Sequence, residues 1–370
     1  MTSRVLLLTP HFAPQQGGVP RLVTAIVDSS CAHTQWRVIT TAAGSPTACM
    51  SDAELPTAIR AGVDVRRVTG TAALVASAAA SIAWLRNSRG RVVCGHPYLA
   101  PIAVMIARAA RVPVVGLGYG RELVATRPTH AVALAWMRRM DRVVTISTRS
   151  ADAVRLLGLS SDRIDVVHPV FTPPWATYDP ARREYASAGL RLVMISRLAE
   201  GYKNFEVAIR AAGVLGRVGI VDSLTIVGDG PRRDALESFA RRVSGPYVRF
   251  AGALHDQQLA ELLTTADVGV FPSRESSAEG GFEGFGLVVH EMGASGLPVV
   301  VGSAAGALDA FRREFCVSVP ADDLLAWVNT ITVLAQQPLQ RRAMAMQGYS
   351  WGQAIDQAAT ARSYVERIAA

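Results

Sequence analysis

Short runs of β-branched and other apolar residues recur along the chain, each bounded by turn-forming residues and separated by stretches long enough to hold a helix. In the first half they predict strands at about 5–9, 36–41, 63–68, 92–95, 113–117 and 143–147. Between them, 18–30, 74–87 and 131–140 place apolar residues at helical spacing. A second series predicts strands at 192–196, 224–227, 248–251, 268–271, 299–301 and 317–319, alternating with helical patterns at 204–215, 232–243, 257–265 and 287–295. Alternation of this kind winds a parallel sheet with helices. Pro169, Pro173, Pro174 and Pro180 interrupt both periods between the two series and mark a domain boundary. The expectation is two doubly wound α/β domains in tandem, 1–170 and 171–350. A last helix over 350–368, with Trp351, Ile355, Ala358, Ala359 and Tyr364 on one face, is expected to pack back on the first domain and to reach across both.

Composition narrows the class. The chain has 370 residues, 50% of them apolar and 18% charged, enough to bury two ordinary cores and too apolar for disorder. Its most apolar stretch, 71–85, is rich in alanine and stops at Arg86, short of a membrane span. The run over 4–10 is too short for a signal-peptide core and reads as a first strand. Cys31, Cys49, Cys94 and Cys316 form no paired motif and have no histidine at metal-ligand spacing, which points to a reducing cytosol and a metal-free fold. The net charge of +8 is uneven: residues 1–175 carry +10 and the remainder −2. That field suits an anionic partner, either a phosphorylated acceptor, a nucleic acid or an acidic membrane surface, and it equally suits a merely solubilising face. Of the 38 cationic side chains only Lys203 is a lysine.

Ligands of open parallel sheets bind beyond the carboxyl ends of the strands, so the residues just after each strand come first. After the first strand, Gly17-Gly18 precedes a helix, where glycine exposes amides to a phosphate; an ordinary turn uses the same pair. After the first strand of the second series, Arg197 and Lys203 stand six residues apart between strand and helix, placed to hold two phosphates from both sides. After the strand at 268–271 the chain reads Glu283-Gly284-Phe285-Gly286-Leu287-Val288-Val289-His290-Glu291. Glycines there free amides at a helix start, and two carboxylates eight residues apart reach one ligand if the first precedes the helix and the second lies two turns inside it. A charged Glu291 between Val289 and Met292 needs a partner, and a ribose diol supplies two hydrogen bonds.

This last segment, continued by Met292-Gly293-Ala294-Ser295-Gly296-Leu297-Pro298, resembles the E-x7-E signature of the retaining glycosyltransferases of family four. Gly17-Gly18-Val19, Arg197, Lys203-Asn204, Val227-Gly228-Asp229-Gly230-Pro231 and Phe250-Ala251-Gly252 agree with that family in order and spacing. The resemblance implies the GT-B fold, two Rossmann-like domains facing across a cleft, with acceptor bound by the first and nucleotide-sugar donor by the second. It implies that Arg197 and Lys203 neutralise the donor diphosphate while the amide of Gly18 approaches from the other domain. Glu291 would bind the ribose, Glu283 with the amides of Phe285, Gly286 and Leu287 would hold sugar and phosphate beside Gly284, and the surroundings of Gly228 and of Phe250 to Leu254 would receive the base. Such enzymes need no metal or cofactor and no covalent protein nucleophile.

The first half departs from the family. A histidine expected after the fifth strand is replaced by Leu117-Gly118-Tyr119-Gly120-Arg121-Glu122, so Tyr119, Arg121 or the nearby His96 are the candidates for its place; the insertion at 274–282 is also long. The expected reaction moves a hexosyl or N-acetylhexosaminyl group from a UDP-sugar, with a GDP-sugar second, to a hydroxyl of a small or lipid-linked acceptor. The expected setting is cytoplasmic, with peripheral contact to an anionic membrane surface. Two other readings use the same features: a nucleotide-sugar epimerase of the same fold, and a basic nucleic-acid-binding protein without catalysis, for which no interleaved aromatic and basic stretch is present.

Overall fold

The computed structural model describes residues 3–13, 15, 17–41, 57–86, 88, 90–125, 127–170, 180, 189–275 and 281–370. Cys49, Pro173, Pro174 and the middle of the insertion at 274–282 lie outside them. The chain divides into two compact units, residues 1–169 with 357–370, and residues 170–356.

The first unit holds a sheet of seven strands: β1 (Ser3–Thr9), β2 (Thr34–Thr41), β3 (Asp64–Val68), β4 (Arg91–Cys94), β5 (Val114–Gly118), β6 (Arg142–Thr145) and β7 (Ile164–Val166). They lie in the order β3-β2-β1-β4-β5-β6-β7 and every pairing is parallel. Central strands buried on both faces read as unbroken apolar runs, and Val5 to Leu8 in β1 are all buried. The second unit repeats the plan with β8 (Leu190–Ile195), β9 (Val221–Val227), β10 (Val248–Gly252), β11 (Val268–Phe271), β12 (Val299–Gly302) and β13 (Cys316–Val319), in the order β10-β9-β8-β11-β12-β13, again all parallel. Its core joins the strands to Phe205, Ile209 and Leu215 of the helix Phe205–Arg217 and to Trp327, Ile331 and Leu334 of Leu324–Gln336. In both sheets the strand order reverses beside the first strand, so a crevice opens at the carboxyl ends of β1 and β4 in one unit and of β8 and β11 in the other.

Three local expectations are corrected, and one strand is added. The helix expected over 74–87 is two, Gly70–Ala79 and Ile82–Arg86. The break falls at buried Ser81, whose Oγ accepts from Arg37 Nη1 (3.1 Å) while the same guanidinium covers the Trp84 ring at 4.5 Å; alanine spacing carries no sign of that contact with β2. The pattern at 131–140 is a helix Pro128–Ala135 followed by a 3-10 turn Trp136–Arg139. The last helix is likewise two, Pro338–Gln353 and Gln357–Ala369. Trp351 stays in the second unit against His290 (4.6 Å) and Phe315 (5.3 Å), whereas Tyr364 belongs to the first, its hydroxyl donating to Val167 O at 2.5 Å. Finally, β7 is an added edge strand of three residues, too short to show a period.

Candidate functional site

In the second unit the segment after β8 is shaped by Asn204. Its backbone is left-handed (φ +53°), and its buried amide donates to Ala321 O (2.8 Å) and Asp322 Oδ1 (3.2 Å). This fixes the turn Gly201–Lys203 at the start of the helix Phe205–Arg217 and, with it, the direction of Lys203. Lys203 Nζ donates to Glu283 Oε2 at 2.6 Å, and the two side chains are only 13% and 11% exposed. Ser273 Oγ donates to the same carboxylate oxygen at 3.2 Å. The ammonium also lies 5.2 Å from the Tyr202 ring centre and 5.7 Å from that of Phe271, within cation–π range. A backbone bond from Arg274 N to Tyr202 O (2.8 Å) ties the segment after β11 to the one after β8. The structure therefore joins Lys203 and Glu283, 80 residues apart in sequence, at the reversal point of the sheet.

Arg197 lies on the same segment with a 74% exposed side chain, and its Nη2 stands 2.9 Å from Glu200 Oε1. The segment is braced from β9. Leu198 N donates to Asp229 O (2.9 Å) and Arg232 N to Leu198 O (2.8 Å), while Gly228 N donates to Gly252 O at the end of β10 (2.8 Å). A Cβ on Gly228 would stand 2.0 Å from Ser196 O, and φ there is +127°. Gly228 is thus a point of close backbone approach beside the expected base pocket. Phe250 packs against the core, and Leu254 is half-buried just beyond β10.

Gly284 is half-buried, and Gly286, with φ +87°, starts the helix Leu287–Ala294. Phe285 is buried edge-on to His290 at 5.1 Å, which anchors this helix to the core. Because 283–286 is not helical, half-buried Glu291 is the fifth residue of the helix and lies about one turn inside it, not two.

In the first unit Gly17 (φ +130°) starts the helix Gly18–Asp28, with Gly18 as its first residue. His11 follows β1, His96 follows β4, and their rings are 5.4 Å apart. Gly95 allows this approach, since a Cβ there would stand 2.8 Å from Thr9 Cβ. His96 Nδ1 accepts from Tyr98 N (3.3 Å), so the neutral ring carries its proton on Nε2. Burial, and then the neighbouring His11 and His130, push the His96 pKa from 6.5 down to about 4. Tyr98 stacks on His130 at 4.1 Å. The expectation that Tyr119 offers its hydroxyl to a ligand meets a different arrangement: the ring is buried and the hydroxyl donates to Gly95 O at 3.0 Å, holding the ends of β4 and β5 together. Glu122, absent from the candidates drawn from sequence, shapes this loop by accepting from the amides of Tyr119 (2.6 Å) and Gly120 (2.7 Å); burial raises its carboxyl pKa. Arg121 beside it is exposed.

The depressed His96 pKa has a consequence for stability. Between pH 6.5 and about 4 the unfolded chain binds a proton that the folded ring refuses, so stability falls on acidification through that window, by roughly 3 kcal/mol at most. Glu122, raised, works in the opposite direction above its ordinary value. His96→Gln is therefore expected to lose less stability than the parent between these pH values, read as the difference in urea midpoints; parallel curves would contradict it.

Among the described residues no helix is long and apolar enough to cross a membrane, and no three His, Cys, Asp or Glu side chains are grouped to hold a metal ion.

Residues 189–337 match the family described as glycosyl transferases group 1. Over 276 residues the chain is 30% identical to the glycogen synthase of Mycobacterium tuberculosis, covering 70% of this chain and 64% of that protein, and so spans less than two thirds of its length. It is 26% identical over 312 residues to D-inositol 3-phosphate glycosyltransferase 1 of Catenulispora acidiphila, covering 74% and 72% of the two chains. Among solved structures, Anabaena HepE in complex with UDP and glucose superposes with a TM-score of 0.74 at 18% identity, over 99% of each chain. Sucrose-phosphate synthase from Thermosynechococcus elongatus gives 0.72 at 16% identity over 98% of each. Residues 189–337 thus match the glycosyl transferases group 1 family, and the two parallel-sheet units of the chain have the GT-B fold.

Proposed function

We propose that the protein is a retaining glycosyltransferase of family four that transfers a hexosyl or N-acetylhexosaminyl group from a nucleoside diphosphate sugar to an acceptor hydroxyl without a metal. A UDP-sugar is the first expected donor and a GDP-sugar the second. The observation that carries this reading is the Lys203–Glu283 pair at the reversal point of the second sheet, beside the helix start at Gly286.

Breaking a sugar–diphosphate bond leaves negative charge on the departing phosphate while the sugar becomes oxocarbenium-like. An ammonium already fixed by Glu283, Tyr202 and Phe271 needs little reorganisation to meet that charge. Because the charge grows along the reaction, Lys203 stabilises the transition state more than the bound donor. Exposed Arg197 can swing onto the other phosphate, and together the two cations provide the positive charge that a metal supplies elsewhere. Glu283 is assigned the sugar, the amides of Phe285, Gly286 and Leu287 the sugar and phosphate oxygens, Glu291 the ribose, and the segments at Gly228 and at 250–254 the base. The first unit is assigned the acceptor, either a small soluble molecule or a lipid-linked one. There the His96 Nε2 proton and the exposed Arg121 are assigned to it, with Tyr119 bracing the loop through Gly95 O, while the Gly17 and Gly18 amides stay assigned to the donor diphosphate. No protein nucleophile is assigned: the acceptor attacks from the side that the diphosphate leaves.

Incubation with UDP- and GDP-sugars and hydroxylated acceptors in the presence of a chelator tests this directly, with the anomeric configuration of the product read by NMR. A glycoside of unchanged configuration is expected; sugar epimerised without transfer, an inverted product, or activity lost with the chelator would contradict it. Glu291→Ala is expected to weaken binding of the matching nucleoside diphosphate about tenfold or more, as loss of hydrogen bonds to a charged acceptor does. Inorganic pyrophosphate, which has no ribose, should bind as before. Equal affinity of parent and variant for the diphosphate, measured by calorimetry, would remove Glu291 from the ribose.

A further inference from the structure

The positive charge of the first unit has a definite place. Residues 86–163 contain thirteen arginines and four carboxylates, Glu122, Asp141, Asp152 and Asp162. In a parallel sheet every segment that enters a strand lies at the amino edge, away from the carboxyl edge where His11, His96 and Tyr119 sit. Arg86 stands just before β4, Arg108 and Arg111 before β5, Arg138 and Arg139 before β6, and Arg163 before β7. They form one connected surface. Arg86 Nη2 donates to Ala109 O (2.6 Å), Arg108 Nη2 to Arg139 O (3.2 Å), Arg138 Nε to Ala135 O (3.2 Å) and Arg163 Nη1 to Met140 O (3.1 Å). A carbonyl oxygen has no formal charge, so these bonds hold the guanidinium groups in place without neutralising them, although Arg163 also has the Asp162 carboxylate beside it.

Apolar side chains stand among them. Leu156 ends the helix Thr148–Leu156 at this edge and is 85% exposed. Two residues on, Gly158 lies against Arg138, whose Cδ is 3.0 Å from where a glycine Cβ would be. Trp136 is half-buried under the Arg139 guanidinium at 4.5 Å. Arginines with a protruding leucine and a tryptophan beside them match a surface that is anionic outside and apolar a few ångströms deeper. We infer that the amino edge of the first sheet docks on an anionic lipid bilayer, at the edge opposite the one that carries the unit's candidate ligand-binding groups. A nucleic acid would use the arginines but leave Leu156 without a role.

The test is co-sedimentation of the full chain with vesicles of phosphatidylcholine alone and of equimolar phosphatidylcholine and phosphatidylglycerol. Binding to the anionic vesicles only, weakened by salt, is expected. The double variant Arg138→Glu, Arg139→Glu should bind at least about tenfold more weakly, and Leu156→Asp should also bind more weakly. Both should keep the thermal midpoint of the parent and its response to nucleoside diphosphates, which separates this inference from the proposed activity. No sedimentation with either vesicle, equal binding to both, undiminished binding of the double variant, or retention by a mixed-sequence DNA duplex without vesicle binding would each overturn it.

Discussion

Lys203→Ala is expected to lower turnover by about a hundredfold to a thousandfold, the usual loss when a preplaced group at the site of developing charge is removed. Two effects combine. The departing phosphate loses its ammonium, and Glu283, 11% exposed, is left as a carboxylate that faces an incoming diphosphate. Separating them requires the double variant Lys203→Ala, Glu283→Gln, which removes the repulsion but does not restore the cation. Nucleotide affinity should then recover in part while turnover stays low. Lys203→Arg should rescue little, because a planar guanidinium does not occupy the compact space between the Tyr202 and Phe271 rings and Glu283 Oε2. Thermal midpoints must accompany the rates, since stranding one partner of a buried pair also costs stability. A Lys203→Ala protein that turns over at the parent rate would take Lys203 out of the leaving-group role.

The second large effect concerns a residue with no functional group. Gly228→Ala is expected to destabilise the second unit by about 3 kcal/mol or more, from a Cβ forced against backbone and a conformation that L residues avoid. The obstacle is Ser196 O at 2.0 Å, and neither strand end can yield, because Ser196 N donates to Val227 O and Gly228 N to Gly252 O. A fall of roughly 6–12 °C in the thermal midpoint follows for a unit of this size. Gly219→Ala is the control: φ is +72°, but nothing lies within 4 Å of its Cβ. It should cost only the backbone strain, about 1 kcal/mol. The Gly228 variant should also bind nucleoside diphosphate more weakly, since the displaced backbone carries Arg197. Similar midpoints for the two alanine variants would refute the close packing of these segments.

Much of this architecture is legible in the sequence. Parallel sheets buried on both faces write their strands as apolar runs, and apart from three-residue β7 those runs locate every strand to within a few residues. Arg197, Lys203, Glu283 and Gly286 stand out because the fold places ligands after strands and because one lysine among 37 arginines is unusual. What pattern cannot supply is long-range pairing. Nothing local says that Lys203 meets Glu283, that Gly228 is a glycine on account of Ser196 O, or that Ser81 breaks a helix to serve Arg37. The same limit hides Glu122, which acts on backbone amides, and makes Tyr119 look like a ligand group when its hydroxyl is engaged with Gly95 O. Expecting Glu291 two turns inside its helix comes from counting all eight residues after Glu283 as helical turns, whereas the helix, placed by pattern and structure alike after Gly286, leaves Glu291 as its fifth residue.

The measurement closest to the central claim is the thermal midpoint of the parent and of Lys203→Ala with uridine, guanosine, adenosine and thymidine diphosphates, with and without magnesium. A ligand that binds only the folded chain raises the midpoint by mass action. One diphosphate, the uridine one first, is expected to stand out in the parent without magnesium and to lose most of its effect in the variant. No shift with any diphosphate, or an equal shift in parent and variant, would contradict the assignment of the Lys203–Glu283 site to a nucleoside diphosphate sugar.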